Sequence, residues 1–221
     1  MGLFAKRKAP TATPRPQPGA SEAPGWEAID AAFAKVYGSQ EPRHVAPPVP
    51  PAFSGKGDAW GISAYDAGDH WHFVTYALSE LFAKETADPA VSGRGYELTL
   101  RLLKQGDAMP MWAFSELNYL VQMINTGQID LWVGDRLDRQ APLSDLNDTL
   151  APTLLQVWFV VTDPQMGRID TPHGQVEFRQ LVGMTPAESD AAKASSNDTV
   201  LNAVANGNPL LITKPARAST V

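Results

Sequence analysis

Ten of the 19 prolines fall within the first 51 residues, and that crowding fixes where a packed core can begin. Proline locks φ and removes a backbone donor, so a segment dense in it supplies neither helix interior nor central strand. Residues 1–24 add Lys6, Arg7, Lys8 and Arg15 against a single acid, Glu22, and almost nothing able to form an apolar face. They are expected to be a disordered, basic, proline-rich tail. A second array, Pro42 to Pro51, predicts a stiff extended connection that cannot be a central strand.

Beyond the tail, periodicity takes over. Trp26, Ile29, Phe33, Val36 and Tyr37 recur at helical spacing, with Pro24 before them and Gly38 at the capping position. Trp71 to Leu78 is β-prone, with His70, His72, Val74 and Tyr76 projecting to one side and Trp71, Phe73 and Thr75 to the other. A short helix is expected over Ser79 to Glu85, then a turn at Ser92, Gly93 and Gly95, whose glycines suit positive φ. Tyr96 to Leu103 alternates as a half-buried strand, and Leu117, Leu120, Val121 and Ile124 mark a helix opened by Pro110 and ending near Gly127. Leu154 to Val161 reads as a central strand, and Asp163 with Pro164 begins a turn. A hairpin over Ile169 to Val182 follows, turning at His173 and Gly174. Thr185, Pro186 and Glu188 form a capping box, a further short helix ends near Gly207, and Leu210 to Thr213 is expected to be a last strand. Strands and helices mix without regular βαβ alternation. The fold class is therefore α/β mixed, nearer α+β: a mixed β-sheet flanked by helices.

Composition narrows the function. Cysteine is absent, which removes disulfides, thiolate metal sites and thiol nucleophiles. The net charge of -6 argues against a nucleic-acid partner, because phosphate neutralisation needs a basic face. No apolar run approaches the ~18–20 residues of a membrane span, and the basic start lacks the greasy segment of a signal peptide. A cytoplasmic protein without a membrane partner is the expectation.

His70 and His72, at i and i+2 on a strand, share a face and would both reach one metal ion if His173, His44 or a carboxylate supplied a third ligand. Histidines satisfied by hydrogen bonds inside a mixed sheet explain the pair more simply, and neither metal nor cofactor is expected. No nucleophile elbow or phosphate loop is present, and no catalytic residue is assigned. Among the tryptophans, Trp71 and Trp158 fall in strand runs and belong to the core. Trp132 lies in Ile129 to Asp135, an edge strand or loop, and is placed to face a partner.

Several blocks resemble one family. Gly61 to Tyr65, Asp69-His70-Trp71-His72-Phe73-Val74-Thr75-Tyr76, Val91 to Leu102, Trp112 before a helix, Thr162-Asp163-Pro164-Gln165-Met166, Ile169 to Gly174 and Val176 to Gly183 are similar, in order, to the Suppressor of fused family. The resemblance covers Gly25 to Lys214, which sets the expected domain at 25–214 with a flexible C-terminus over 215–221. It implies a non-enzymatic protein-binding domain. Animal members are cytoplasmic repressors that grip a short transcription-factor peptide as an added strand between two lobes, and this chain matches the first lobe. Stand-alone bacterial members include proteins thought to neutralise toxins. Carried across, the groove aspartate falls on Asp135 and the groove tyrosine on Met123. The acidic position before the Asp-Pro pair is Thr162, which leaves Asp163 to serve. The expected partner-binding residues are thus Met123, Trp132, Asp135 and Asp163. The function expected is a bacterial immunity-type protein that binds a toxin or effector. The alternatives are a metal-dependent enzyme using His70 and His72, or a regulator sequestering a transcription factor.

Overall fold

In the computed structural model, residues 22–143 and 153–221 are described. The expected disordered tail lies, through residue 21, outside the described residues. The first helix, α1 (Pro24–Tyr37), begins at Pro24, where the missing N–H costs nothing, and ends at Gly38 with φ 64°. The proline array holds an edge strand β1 (Arg43–Val45) and one helical turn α2 (Pro51–Ser54). Then come β2 (Gly61–Asp66), β3 (His70–Tyr76), β4 (Val91–Leu103), α3 (Met111–Asn125), β5 (Arg136–Asp138), β6 (Val157–Thr162), β7 (Arg168–Thr171), β8 (Gly174–Met184), α4 (Pro186–Ala194) and α5 (Asn197–Ala205).

The strands form one mixed sheet in the order β1-β2-β3-β4-β8-β6-β5, with β7 also on β8. The β4–β8 pair is parallel and the other pairs are antiparallel. Strands β6 and β7 lie end to end along β8: Thr162 faces Arg179 and Arg168 faces Glu177. Between them Asp163–Gly167 loops out, closed by the Gly167 N–H on the Asp163 carbonyl at 3.0 Å.

Alternation along the strands sorts side chains onto two faces. Trp71, Phe73, Leu98, Leu100, Trp158, Val160 and Leu181 pack against α3 through Phe114, Leu117, Leu120, Val121 and Ile124. On the opposite face Val74, Tyr76 and Phe178 meet Ile29 and Phe33 of α1, and Phe159, Val182 and Met184 meet Val200 and Val204 of α5. Both faces of the central strands are dry, so the molecule is an α+β three-layer arrangement, as the sequence pattern implies. Trp71 and Trp158 are core residues.

Three local expectations are corrected. Ser79–Glu85 is not helical, because the Glu80 carboxylate takes the backbone N–H groups of Glu85 and Thr86 at 2.6 and 2.5 Å and folds the segment into turns. Gly93 and Gly95 do not form a turn ahead of the strand. They form an irregularity inside β4, which already starts at Val91. At Gly93 φ is 58° and a Cβ would lie 2.7 Å from the Leu78 carbonyl oxygen. Leu210–Thr213 makes only an isolated bridge, Leu102 to Thr213.

Residues 215–221, expected to be a flexible C-terminus, carry hydrogen bonds to the domain. Arg217 donates to both oxygens of the buried Glu188 and, at 2.9 Å, to the Gly183 carbonyl, while Thr220 donates its N–H and hydroxyl to Glu188, each at 2.8 Å. Burial alone would push the Glu188 carboxyl up, but Arg217 and the Thr185 and Thr220 N–H groups outweigh it and hold it at about 2. Glu188 also closes the capping box with Thr185. Arg217→Ala strands this carboxylate and should cost about 3 kcal/mol, read as a lower urea midpoint. Adding Glu188→Gln should restore part of the loss, since glutamine keeps the capping box without the charge.

Candidate functional site

One edge of the sheet carries residues singled out from the sequence. Leaving α3, the chain turns over Trp132–Asp135 and enters β5. The Asp135 carboxylate accepts the Trp132 N–H at 2.7 Å, and the Asp135 N–H donates to the Trp132 carbonyl at 2.9 Å. Backbone bonds of 2.8 Å from Gly134 to Val160 and 3.0 Å from Val160 to Asp135 stitch the turn to β6. From the other side Asn197 of α5 donates to the Gly134 carbonyl at 2.7 Å and accepts from Arg136 at 3.1 Å. A turn braced on both flanks throws its indole outward: Trp132 is 59% exposed, beside the exposed Val133.

The indole rests on a fixed base. The Arg179 guanidinium of β8 lies 4.8 Å from the Trp132 ring and 3.9 Å from the Tyr96 ring. It is oriented by Glu177 at 3.0 Å and by the Leu131 carbonyl. The Tyr96 hydroxyl donates to Asp130 at 2.6 Å. A cation–π contact to a ring this exposed contributes about 0.5–1 kcal/mol, which biases the indole toward this orientation. Tyr96 and Arg179 carry no mark in the sequence beyond strand alternation, since their meeting depends on the parallel β4–β8 pairing.

The four sequence-derived residues are not one cluster. Trp132 and Asp135 share the turn. Met123 is half-buried on α3, where its carbonyl accepts the Gln128 N–H at 2.9 Å at the start of the loop leading to that turn. Asp163 is 1% exposed and lies in the polar interior on the α1 side, where no partner reaches it. One of its oxygens accepts from His72 at 3.0 Å and Thr99 at 2.9 Å. The other accepts from Arg101 at 3.1 Å and from the Gln165 and Met166 N–H groups at 2.9 and 3.0 Å. Burial would push this carboxyl up; the His72 bond, the Arg101 charge and the Met166 N–H hold it well below the usual carboxylate range.

Both histidines that share a face of β3 are consumed by the same network. Burial pulls His72 down to about 4, so it is neutral: Nε2–H donates to Asp163, and Nδ1 accepts the Tyr37 hydroxyl at 2.8 Å. Burial also lowers His70. Its Nδ1–H donates to Asp69 at 2.6 Å, and Nε2 accepts from Arg101 at 3.2 Å. All four ring nitrogens are engaged. His173 sits at the Val91 end of β4 and His70 at the Leu103 end, on the order of 40 Å apart at ~3.3 Å per residue. Among the described residues no group of three or more His, Cys, Asp or Glu is disposed to hold a metal ion, and no helix is long and apolar enough to cross a membrane.

A family model described as Suppressor of fused protein matches residues 58–218. The chain is 28% identical over 172 residues to the Suppressor of fused homologs of human and mouse, covering 73% of this chain and 34% of each relative. It therefore spans about a third of the length of these curated relatives. The crystal structure of Drosophila Suppressor of Fused superimposes with a TM-score of 0.78 at 27% identity, covering 90% of this chain and 52% of that one. A chain from the Sufu-Fu complex matches with the same score and identity over 90% of this chain and 93% of that one. A putative homolog from Neisseria gonorrhoeae, at 12% identity and a TM-score of 0.59 over 89% of this chain and 97% of that one, shares the fold.

The buried network makes stability depend on pH. The unfolded chain takes up a proton on His72 near the ordinary histidine value of about 6.5, whereas the folded chain refuses it down to about 4. Stability from this group is complete above pH 6.5 and falls as pH drops toward 4, by up to about 3 kcal/mol. Asp163 adds a further loss at still lower pH. Urea midpoints at several pH values across this window should trace that slope, and His72→Gln should flatten it. A His72 ring found charged at pH 5.5 by NMR would contradict the assignment.

Proposed function

The chain belongs to the Suppressor of fused family, and on that footing we propose that it is a non-enzymatic binding domain that captures a protein partner at the β5 edge. The finer reading is a cytoplasmic immunity-type protein of bacterial origin that occupies and neutralises a toxin or effector. The observation that carries the binding role is Trp132, a large aromatic side chain held outward at the sheet edge by a capped turn and an arginine–tyrosine stack. Interfaces draw most of their affinity from a few such anchors, and an anchor already fixed in orientation loses little entropy on binding.

The backbone next to it supports the same reading. Among the described residues strand β5 pairs only with β6, which leaves its other edge to an added strand, the mode in which main-chain bonds give affinity and neighbouring pockets give specificity. Met123 supplies an adaptable apolar contact near the turn. Asp135 serves mainly by holding Trp132. Asp163 is assigned a structural role. With His70 and His72 both spent on internal hydrogen bonds, the metal-dependent alternative lacks free ligands.

Partner capture from the native cell, followed by titration of the captured protein, tests the surface. Trp132→Ala should weaken binding by about 30-fold, the loss of a typical hot spot of ~2 kcal/mol, with the urea midpoint lowered only slightly by the lost stacking on Arg179. Asp135→Asn should be milder, because the amide oxygen still accepts the Trp132 N–H. Equal affinity for wild type and Trp132→Ala would remove this edge from the interface. If the captured partner is a toxin, co-expression should protect the host with the wild type and fail with Trp132→Ala.

A further inference from the structure

The opposite edge of the sheet carries a second feature that the β5 reading does not use. A groove of about 450 Å³ runs between α1 and the β1–β2 edge. One wall is a stripe of α1 at four-residue spacing: Trp26, Asp30, Ala34 and then Gly38. The other wall is Glu41 and His44. Twelve residues of helix span about 18 Å, the length of five or six residues of extended chain at ~3.3 Å each.

The charges in this groove have one sign. Asp30 and Glu41 line it, no lysine or arginine does, and Glu27 adds its field one turn before Asp30. Among the described residues none of these three acids is ion-paired. Asp30 is half-buried and accepts the Tyr76 hydroxyl at 2.6 Å. The last turn of α1, ending at Gly38, brings the negative end of the helix dipole to the same groove. Trp26 is fixed by stacking on Tyr76 at 4.2 Å and lies 5.4 Å from His44. The His44 ring is in turn placed by Ser63 at 3.0 Å and by the bare Cα of Gly61, where a Cβ would come within 2.2 Å of it.

We infer that the α1–β1 groove is a docking site for an extended, arginine-bearing segment of a partner protein. A guanidinium is the group that pairs with a carboxylate in plane and lies flat on an indole at once, which an ammonium does not do. Burial pushes the Asp30 carboxyl up, against hydrogen bonds from Tyr76 and Trp26. An incoming cation would relieve that cost. Burial also pulls His44 down, so no competing positive charge stands in the groove near neutral pH. The site is separate from the Trp132 edge and does not depend on it.

The test is calorimetric titration of the full chain, at low salt, with a short synthetic peptide alternating arginine and alanine and with its lysine counterpart. The arginine peptide should bind at least about fivefold tighter than the lysine one. Asp30→Asn with Glu41→Gln should weaken it by about tenfold or more, with an unchanged melting temperature. Asp190→Asn, which removes an exposed carboxylate on α4, and Trp132→Ala should leave binding as it was. Indistinguishable arginine and lysine peptides, or equal weakening by Asp190→Asn, would reduce the groove to diffuse electrostatics and overturn the assignment. Binding that appears only after Lys6, Arg7, Lys8 and Arg15 are replaced by alanine would make the chain's own leader the occupant and overturn the partner assignment.

Discussion

The fold is organised around one buried ion pair. Arg101 near the C-terminal end of β4 and Asp163 just after β6 are both fully withdrawn from solvent and 3.1 Å apart. Desolvating two charges costs several kcal/mol, and their attraction repays this only when every remaining donor and acceptor is satisfied. The surrounding residues do that: Gln180 and His70 accept from the guanidinium, and Thr99, His72 and two backbone N–H groups saturate the carboxylate. The pair thereby clamps β3, β4 and β8 to the loop between β6 and β7. Tyr37 extends the clamp to the end of α1, and Gln180 extends it to the Leu210 and Leu211 carbonyls.

That clamp also explains why histidines on a strand face are not a metal site here. Each imidazole is a neutral relay with a defined tautomer, one nitrogen donating to a carboxylate and the other accepting from Tyr37 or Arg101. A metal ion would have to displace those partners and would leave Arg101 beside a second cation. Residues that look like ligands in a linear pattern thus serve as spacers between an arginine and an aspartate 62 positions apart.

What the sequence discloses follows from how local the cause is. The capping box at Thr185 and Glu188 and the α1 stripe depend on near neighbours, and both read correctly; the strand over Tyr96 to Leu103 is also present, but its alternation marks it as half-buried whereas Glu97, Thr99 and Arg101 are buried as well. Strand β2 carries no comparable signature. Gly61-Ile62-Ser63-Ala64-Tyr65 is buried on both faces, so it shows no alternation, and its small residues suit close approach by His44 and Trp26 rather than any local preference. The segment after β3 carries helix-forming residues, yet the Glu80 carboxylate competes for the N–H groups a helix would need. Asp163 sits in an Asp-Pro turn that looks surface-exposed, and only the distant Arg101 makes its burial possible. The Trp132 exposure was legible from its place in a stretch read as an edge strand or loop, but the Arg179 and Tyr96 base beneath it was not, since it requires knowing that β4 and β8 run parallel.

Both outermost strands, β1 and β5, are three residues long. A sheet bounded this way offers a neighbour too few free amide and carbonyl groups for main-chain pairing alone to hold it. Two copies of the chain meeting edge to edge gain little, which guards against runaway self-association without any need for charge repulsion. The same brevity makes recognition discriminating, because a visiting strand that matches the backbone but lacks the right side chains falls off.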